Sequence, residues 1–140
     1  MLQSRTALLL ALVVVGLSGW AGRGYAELDG DRYRSDEWRV ALKGPKGWKL
    51  SEQSSYPSVL LRMVRRNPNA KMLFSAEPVK AETTALEYAQ LTSKKLEEMG
   101  FRVRAPQQHP ATGAYYMDFD NGKRFLRQAL LVANETGYSL

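Results

Sequence analysis

The chain has 140 residues, a net charge of +6, 24% charged residues and no cysteine. The length suits one domain. The missing cysteine excludes disulfides, thiol nucleophiles and a lipid-modified cysteine, and the mild basicity allows attraction to anionic lipid, polysaccharide or acidic proteins without requiring it.

Residues 1–26 read as an export signal. Arg5 supplies a positive charge, residues 7–17 form an eleven-residue apolar run, and Gly24-Tyr25-Ala26 is a small-x-small cleavage site ending at Ala26. The run falls well short of the ~20 residues that span a bilayer, so no transmembrane span is expected after signal removal. No paired arginine precedes it, which points to the general secretory route and a periplasmic or extracellular address. The alternative is an uncleaved anchor with Trp20 and Arg23 at the interface. Gly19-Trp20-Ala21 offers a second cut site. Removing residues 1–26 takes away the charges of Arg5 and Arg23 and leaves +4.

Residues 27–36 are polar and read as a solvated leader. Asp29, Asp31 and Asp36 lack the glutamate and glycine offsets of a calcium loop. Trp38, Val40 and Leu42 alternate with Glu37, Arg39, Ala41 and Lys43 as a half-buried strand does. Gly44-Pro45-Lys46-Gly47 breaks it with a turn. Trp48 and Leu50 restart an extended segment, and residues 51–57 read as a polar loop.

Residues 58–66 and 71–77 form a first hairpin joined by Asn67-Pro68-Asn69-Ala70. With Arg66 opposite Lys71, the residues Val59, Leu61, Met63, Met72, Phe74 and Ala76 share one face, the expected bed for a helix. The other face carries Leu60, Val64 and Leu73, which ask for cover of their own.

The helix predicted over 84–99 organises the chain. Thr84-Ala85-Leu86-Glu87 is a capping box, and Gly100 ends the helix in the left-handed conformation, with Phe101 folding back onto Leu96. Ala85, Leu86, Ala89, Thr92, Leu96 and Met99 fall on one face, which Tyr88 and Leu91 widen.

Residues 101–104 follow as a short strand stopped by Pro106, and 107–112 read as a loop. Residues 113–120 and 123–133 form a second hairpin. Asn121-Gly122 predicts a two-residue type I′ turn, which sets Asp120 opposite Lys123, Asp118 opposite Phe125 and Tyr116 opposite Arg127. Met117, Phe119, Leu126, Leu130 and Val132 then face inward. Residues 134–137 are a turn, and Tyr138-Ser139-Leu140 begins a strand.

On these residues the chain resembles the PsbP-like family, whose fold includes periplasmic DcrB-type and Ran-binding proteins. The matching features are Pro45-Lys46-Gly47-Trp48 after a first strand, a hairpin before one central helix, Gly100-Phe101 at its end, the hairpin around Asn121-Gly122 and the closing Tyr138-Ser139-Leu140. The resemblance spans roughly residues 37–140. It implies an α+β domain with an antiparallel sheet of hairpins packed on one central helix, an αβα sandwich here lacking the family's C-terminal helix. It also implies a non-enzymatic binding or assembly subunit, and it transfers no ligand residue.

Chemistry is sparse. His109 is the only histidine, too few soft ligands for zinc, and no Gly-x-Ser-x-Gly elbow supports a triad. Asp118 and Asp120 stand two apart on one strand, as a glycosidase pair could, but hairpin surface charge is the better reading. No glycine-rich phosphate loop is present, so neither cofactor nor metal is expected. Arg62, Arg65, Arg66 and Lys71 gather at the first hairpin tip without interleaved aromatics, which disfavours nucleic acid. Tyr116 and Arg127 form a candidate cation–π pair. Asn134-Glu135-Thr136 matches a glycosylation sequon.

These features point to an exported, non-enzymatic binding or assembly accessory of the cell envelope or extracellular space, with a protein or an anionic envelope component as partner. A small secreted hydrolase-like domain using Asp118, Asp120 or His109 is the alternative, and a structural fragment without independent function is a third.

Overall fold

The computed structural model describes residues 26–52 and 58–140. The expected signal, apart from Ala26, and residues 53–57 of the expected polar loop lie outside the described residues. In order, the elements are β1 (Ala26–Asp29), β2 (Arg32–Ser35), β3 (Val40–Lys43), β4 (Lys49–Glu52), β5 (Val59–Arg65), β6 (Ala70–Pro78), α1 (Ala85–Glu98), β7 (Arg102–Val103), β8 (Gln107–Gln108), β9 (Tyr115–Asp120), β10 (Phe125–Ala133) and β11 (Thr136–Ser139). The fold is α+β, mostly antiparallel sheet with one helix among the described residues. No helix among them is long and apolar enough to cross a membrane. The chain forms two compact units. The first holds β1 to β4 and the Met63–Lys71 end of the β5–β6 hairpin; the second holds the rest of that hairpin, α1 and β7 to β11.

In the first unit, β1, β2 and β3 form an antiparallel sheet. Leu28 opposes Tyr33, which opposes Leu42, and Ser35 opposes Val40. Tyr33, Ser35, Val40 and Leu42 are buried and their sequence neighbours exposed, the period-two alternation of a half-buried sheet. The expected solvated leader is therefore a hairpin. Each of its strands brings only one large apolar residue, Leu28 and Tyr33, so its composition reads as loop while its alternation reads as strand. Gly30 makes the connection at φ +59°. Trp38 sits in a turn ahead of β3 and not in the strand: Arg39 takes φ +49°, and the Trp38 amide donates to Ser35 Oγ at 3.3 Å. The Gly44–Gly47 turn forms as expected, with the Trp48 amide donating to the Pro45 carbonyl at 3.1 Å and Gly47 at φ +84°.

In the second unit the strand order is β5-β6-β11-β10-β9-β7, with β8 also pairing β9. The last strand is thus central: β11 lies between β6 and β10, pairing Tyr138 with Ala76 and Leu131. The helix keeps both expected caps. Thr84 Oγ1 accepts from the Glu87 amide at 3.1 Å, and Glu87 Oε2 accepts from the Thr84 amide at 2.8 Å. At the other end the Phe101 amide donates to the Leu96 carbonyl and the Gly100 amide to that of Glu97, with Gly100 at φ +92°. This Schellman arrangement satisfies carbonyls the helix end leaves open.

The bed of the helix differs from the expected one. α1 packs on β7, β9 and β10, where Tyr88 and Ala89 close over Met117 and Leu130, flanked by Leu96, Val103, Tyr115 and Val132. Glu77 pairs with Gly137 and faces the helix, so Ala76 and Phe74, one residue out of phase, look away from it. Phe74 stacks on Tyr138 on that far side, ring centroids 6.2 Å apart. Both hairpins present one apolar face, and periodicity alone does not say which the helix takes. The buried stripe is also narrower than the sequence reading: Leu86, Leu91 and Met99 are 38%, 57% and 71% exposed. Leu60, Val64 and Leu73 are half-buried.

The second hairpin carries a register shift. Asp120 pairs with Phe125, not Lys123, and Asp118 pairs with Arg127, not Phe125. The loop holds four residues because Asn121 Oδ1 accepts from the amides of Lys123 and Arg124, at 3.1 and 2.9 Å. Only Gly122 takes positive φ there, +83°, whereas a type I′ turn needs it at both central positions. A two-residue turn with both residues at positive φ forms instead at Asn134 and Glu135, φ +51° and +57°, between Ala133 and Thr136. The shift is two residues, so it preserves which residues face the helix. Residues 107–108, expected in a loop, pair with Tyr116 and Tyr115.

Candidate functional site

The face of β7, β9 and β10 turned away from the helix gathers the charged side chains of Arg102, Arg104, Asp118, Asp120 and Arg127. Strand alternation puts Arg102 and Arg104 on one side of the Arg102–Val103 strand, while Val103 packs toward the helix. The register aligns Arg102 with Asp120 and Phe125, and Asp118 with Arg127. The Arg104 amide donates to the Asp118 carbonyl at 2.9 Å, which carries the alignment one residue past β7.

Arg127 holds Asp118 with two parallel hydrogen bonds, Nε to Oδ1 at 2.6 Å and an Nη to Oδ2 at 2.8 Å. Its guanidinium also lies 5.1 Å from the Tyr116 ring centroid. The expected Tyr116–Arg127 contact therefore exists, but diagonally: Ala129 opposes Tyr116. The Tyr116 hydroxyl donates to Gln107 Oε1 at 2.7 Å, fixing the ring. Arg102 pairs with Asp120, Nε to Oδ1 at 3.2 Å and an Nη at 2.5 Å. Arg104 makes no ion pair among the described residues and lies 5.6 Å from the Phe125 ring centroid, with Phe125 64% exposed. Arg102, Arg104 and Phe125 escape a search for compact motifs. The signal that finds them is the Arg-Val-Arg alternation beside a strand whose aspartates repeat every second residue.

The electrostatics follow from these contacts. The Arg127 hydrogen bonds hold the Asp118 carboxyl below its ordinary range, against partial burial that pushes it up. Arg102, and then the Gly122 amide, do the same for Asp120. Asp118 in turn raises Arg127. A general acid needs a carboxyl raised toward neutrality; both carboxyls here move the other way, with both oxygens of Asp118 and Oδ1 of Asp120 accepting hydrogen bonds. His109 lies outside the array, its Nδ1 accepting from the Ala111 amide at 3.3 Å within its own turn. The described residues hold no group of acids and histidines placed to bind a metal ion.

The first hairpin tip is organised differently. Arg65 lies over Trp48, 5.1 Å from the ring centroid, and its Nε donates to the Pro68 carbonyl at 3.3 Å. Arg66 falls in the turn and not in the strand, so it does not pair with Lys71 as a strand residue; both are exposed. Arg62, also exposed, belongs to the second unit. Ala26, the expected cleavage residue, opens β1 and is exposed. Comparison with family models, curated proteins and solved structures gives no match.

Proposed function

We propose that the chain is a non-enzymatic binding or assembly accessory, acting in the cell envelope or outside the cell, and that the outward face of β7, β9 and β10 docks an acidic segment of a protein partner. One observation carries this reading: Phe125 stands largely exposed beside Arg104, next to Arg127, which is already fixed by Asp118 and Tyr116. Aromatic and arginine side chains dominate the energetic centres of protein interfaces. A guanidinium locked in place loses less freedom on binding. The array sets three guanidiniums against two carboxylates, with exposed Lys123 and Arg124 at its rim, so its field favours an acidic partner. The two carboxyls, each held low by an arginine, support binding over a hydrolase.

Export rests on residues 1–26, and a PsbP-like sandwich rests on the order hairpin, helix, hairpin; both belong to this proposal. The test is fluorescence anisotropy of a labelled glutamate-rich peptide containing one aromatic residue, titrated with the full chain. Charge reversal by Arg104→Glu, or truncation by Phe125→Ala, is expected to weaken binding by about tenfold, the effect of losing one interface hot spot. Equal binding by both variants overturns the docking face. Preference for a sulfated polysaccharide over the peptide replaces the protein partner with an envelope polymer.

A further inference from the structure

The first unit carries a concave surface built from residues other than those of the proposed docking face. The β1–β2–β3 sheet forms a shallow groove of about 430 Å³, its floor largely apolar where Tyr33, Ala41 and Leu42 contribute and its rim carrying Glu27, Asp29, Arg32, Arg34 and Lys43. The register aligns the rim side chains and Ala41 in two rows across the strands: Asp29, Arg32 and Lys43 in one, Glu27, Arg34 and Ala41 in the other. Arg32 and Lys43 are thus direct cross-strand neighbours of like charge, which destabilises a sheet, and Asp29 opposes Arg32 only from its other side. Among the described residues neither makes an ion pair, and Arg34 is turned to Asp36 at 2.9 Å. Ala41 leaves room beside them, since its row ends in a methyl group.

We propose that this groove is a binding site for a compact anion of the phosphate or carboxylate class, clamped between Arg32 and Lys43. Two cations one strand spacing apart, about 4.8 Å, bracket one tetrahedral or planar anion, and arginine offers it a two-pronged hydrogen-bonding fork. Glu27 and Asp29, on the next strand, repel a second negative charge and accept hydrogen bonds. They direct the site toward a small anion that also carries a hydroxyl or ammonium donor, and away from a long polyanion.

The test is a titration of the full chain with inorganic phosphate at constant ionic strength, following the backbone amide resonances of Arg32, Arg34 and Lys43. Saturable shifts at these positions are expected, absent when chloride replaces phosphate. Arg32→Ala and Lys43→Ala should each weaken the apparent affinity by about tenfold, the scale of one lost charge-assisted hydrogen bond, while Arg104→Ala on the docking face leaves it unchanged. Glu27→Gln with Asp29→Asn should tighten phosphate binding severalfold by removing the repelling charges. Binding of vesicles rich in anionic phospholipid, competed by phosphate, would mark the source as a headgroup; phosphate binding without vesicle binding would mark it as a free anion. Shifts that chloride reproduces, or that survive both Arg32→Ala and Lys43→Ala, overturn the site.

Discussion

The ring of Tyr88 occupies the space that a side chain on Gly137 would fill. A Cβ built on Gly137 stands 2.6 Å from Tyr88 Cζ and 2.8 and 2.9 Å from the two adjacent ring carbons. Gly137 lies in β11, the central strand, and Tyr88 is the larger of the two buried residues of α1. The contact therefore sets how closely the helix approaches the sheet. Gly137→Ala is expected to lower stability by about 1–3 kcal/mol through overpacking, read as a drop in the urea midpoint. Combining it with Tyr88→Leu should recover part of that loss, because the clash and the ring are one feature; simple additivity would refute the coupling.

The same tyrosine makes the fold sensitive to alkali. Its hydroxyl donates to Glu77 Oε1 at 2.8 Å. Burial first, and then the Glu77 carboxylate, raise its pKa well above the ordinary tyrosine value of 10.0. The folded state keeps the proton where the unfolded chain loses it. This contribution to stability is present below pH 10 and falls as the pH rises above it. Tyr88→Phe should cost about 1 kcal/mol at neutral pH, the worth of one hydrogen bond, and should flatten the decline in melting temperature above pH 10. An unchanged alkaline slope would assign the titration to another group.

The helix was legible because its signals are local. Thr84, Glu87 and Gly100 act within one turn of their own positions, and the structure shows every one of those contacts. The bed of the helix was not legible, because the decisive contact joins residues 49 positions apart in the chain, Tyr88 and Gly137, and a glycine in a strand leaves no apolar mark for periodicity to find. The docking face was half legible. Asp118 and Asp120 show as an alternating pair, and the two-residue register shift keeps them on the same face while exchanging their partners. The β1–β2 hairpin was lost to composition. Its polar face, Glu27, Asp29, Arg32 and Arg34, outweighs Leu28 and Tyr33 in any average, and only the alternation separates the two.

The two turns of the β9–β10–β11 meander put different demands on their residues. Glu135 takes φ +57° in a tight turn, a conformation that is costly for a residue with a side chain. Its carbonyl accepts from the Val79 amide at 3.0 Å, a contact that any residue there preserves. Glu135→Gly is expected to stabilise the fold by about 0.5–1 kcal/mol, relief of left-handed strain being partly offset by a more flexible unfolded chain. Asn121→Ala should destabilise by about 1 kcal/mol, since it strands the Lys123 and Arg124 amides that Oδ1 now accepts. Chemical denaturation of the two variants separates the cases, and destabilisation by Glu135→Gly would contradict the assigned turn.

Asp118 links the docking face to the acid limit of stability. Its side chain is 15% exposed and held by both prongs of Arg127, itself 41% exposed. Arg127 lowers its pKa below the ordinary aspartate value of 3.8. A carboxyl held low binds its proton later in the folded than in the unfolded state. It therefore contributes stability above the unfolded pKa and loses it as the pH falls through the folded one. Because Arg127 is solvated, the pair contributes only about 0.5–1 kcal/mol. Asp118→Asn should remove that increment at pH 7, make no difference at pH 2, and so flatten the acid limb of the stability curve. It should also release Arg127 from its fixed position over Tyr116. If the fixed guanidinium is what the acidic partner recognises, the variant gains a net positive charge yet does not bind the glutamate-rich peptide more tightly; tighter binding would show that charge alone, not placement, governs the face.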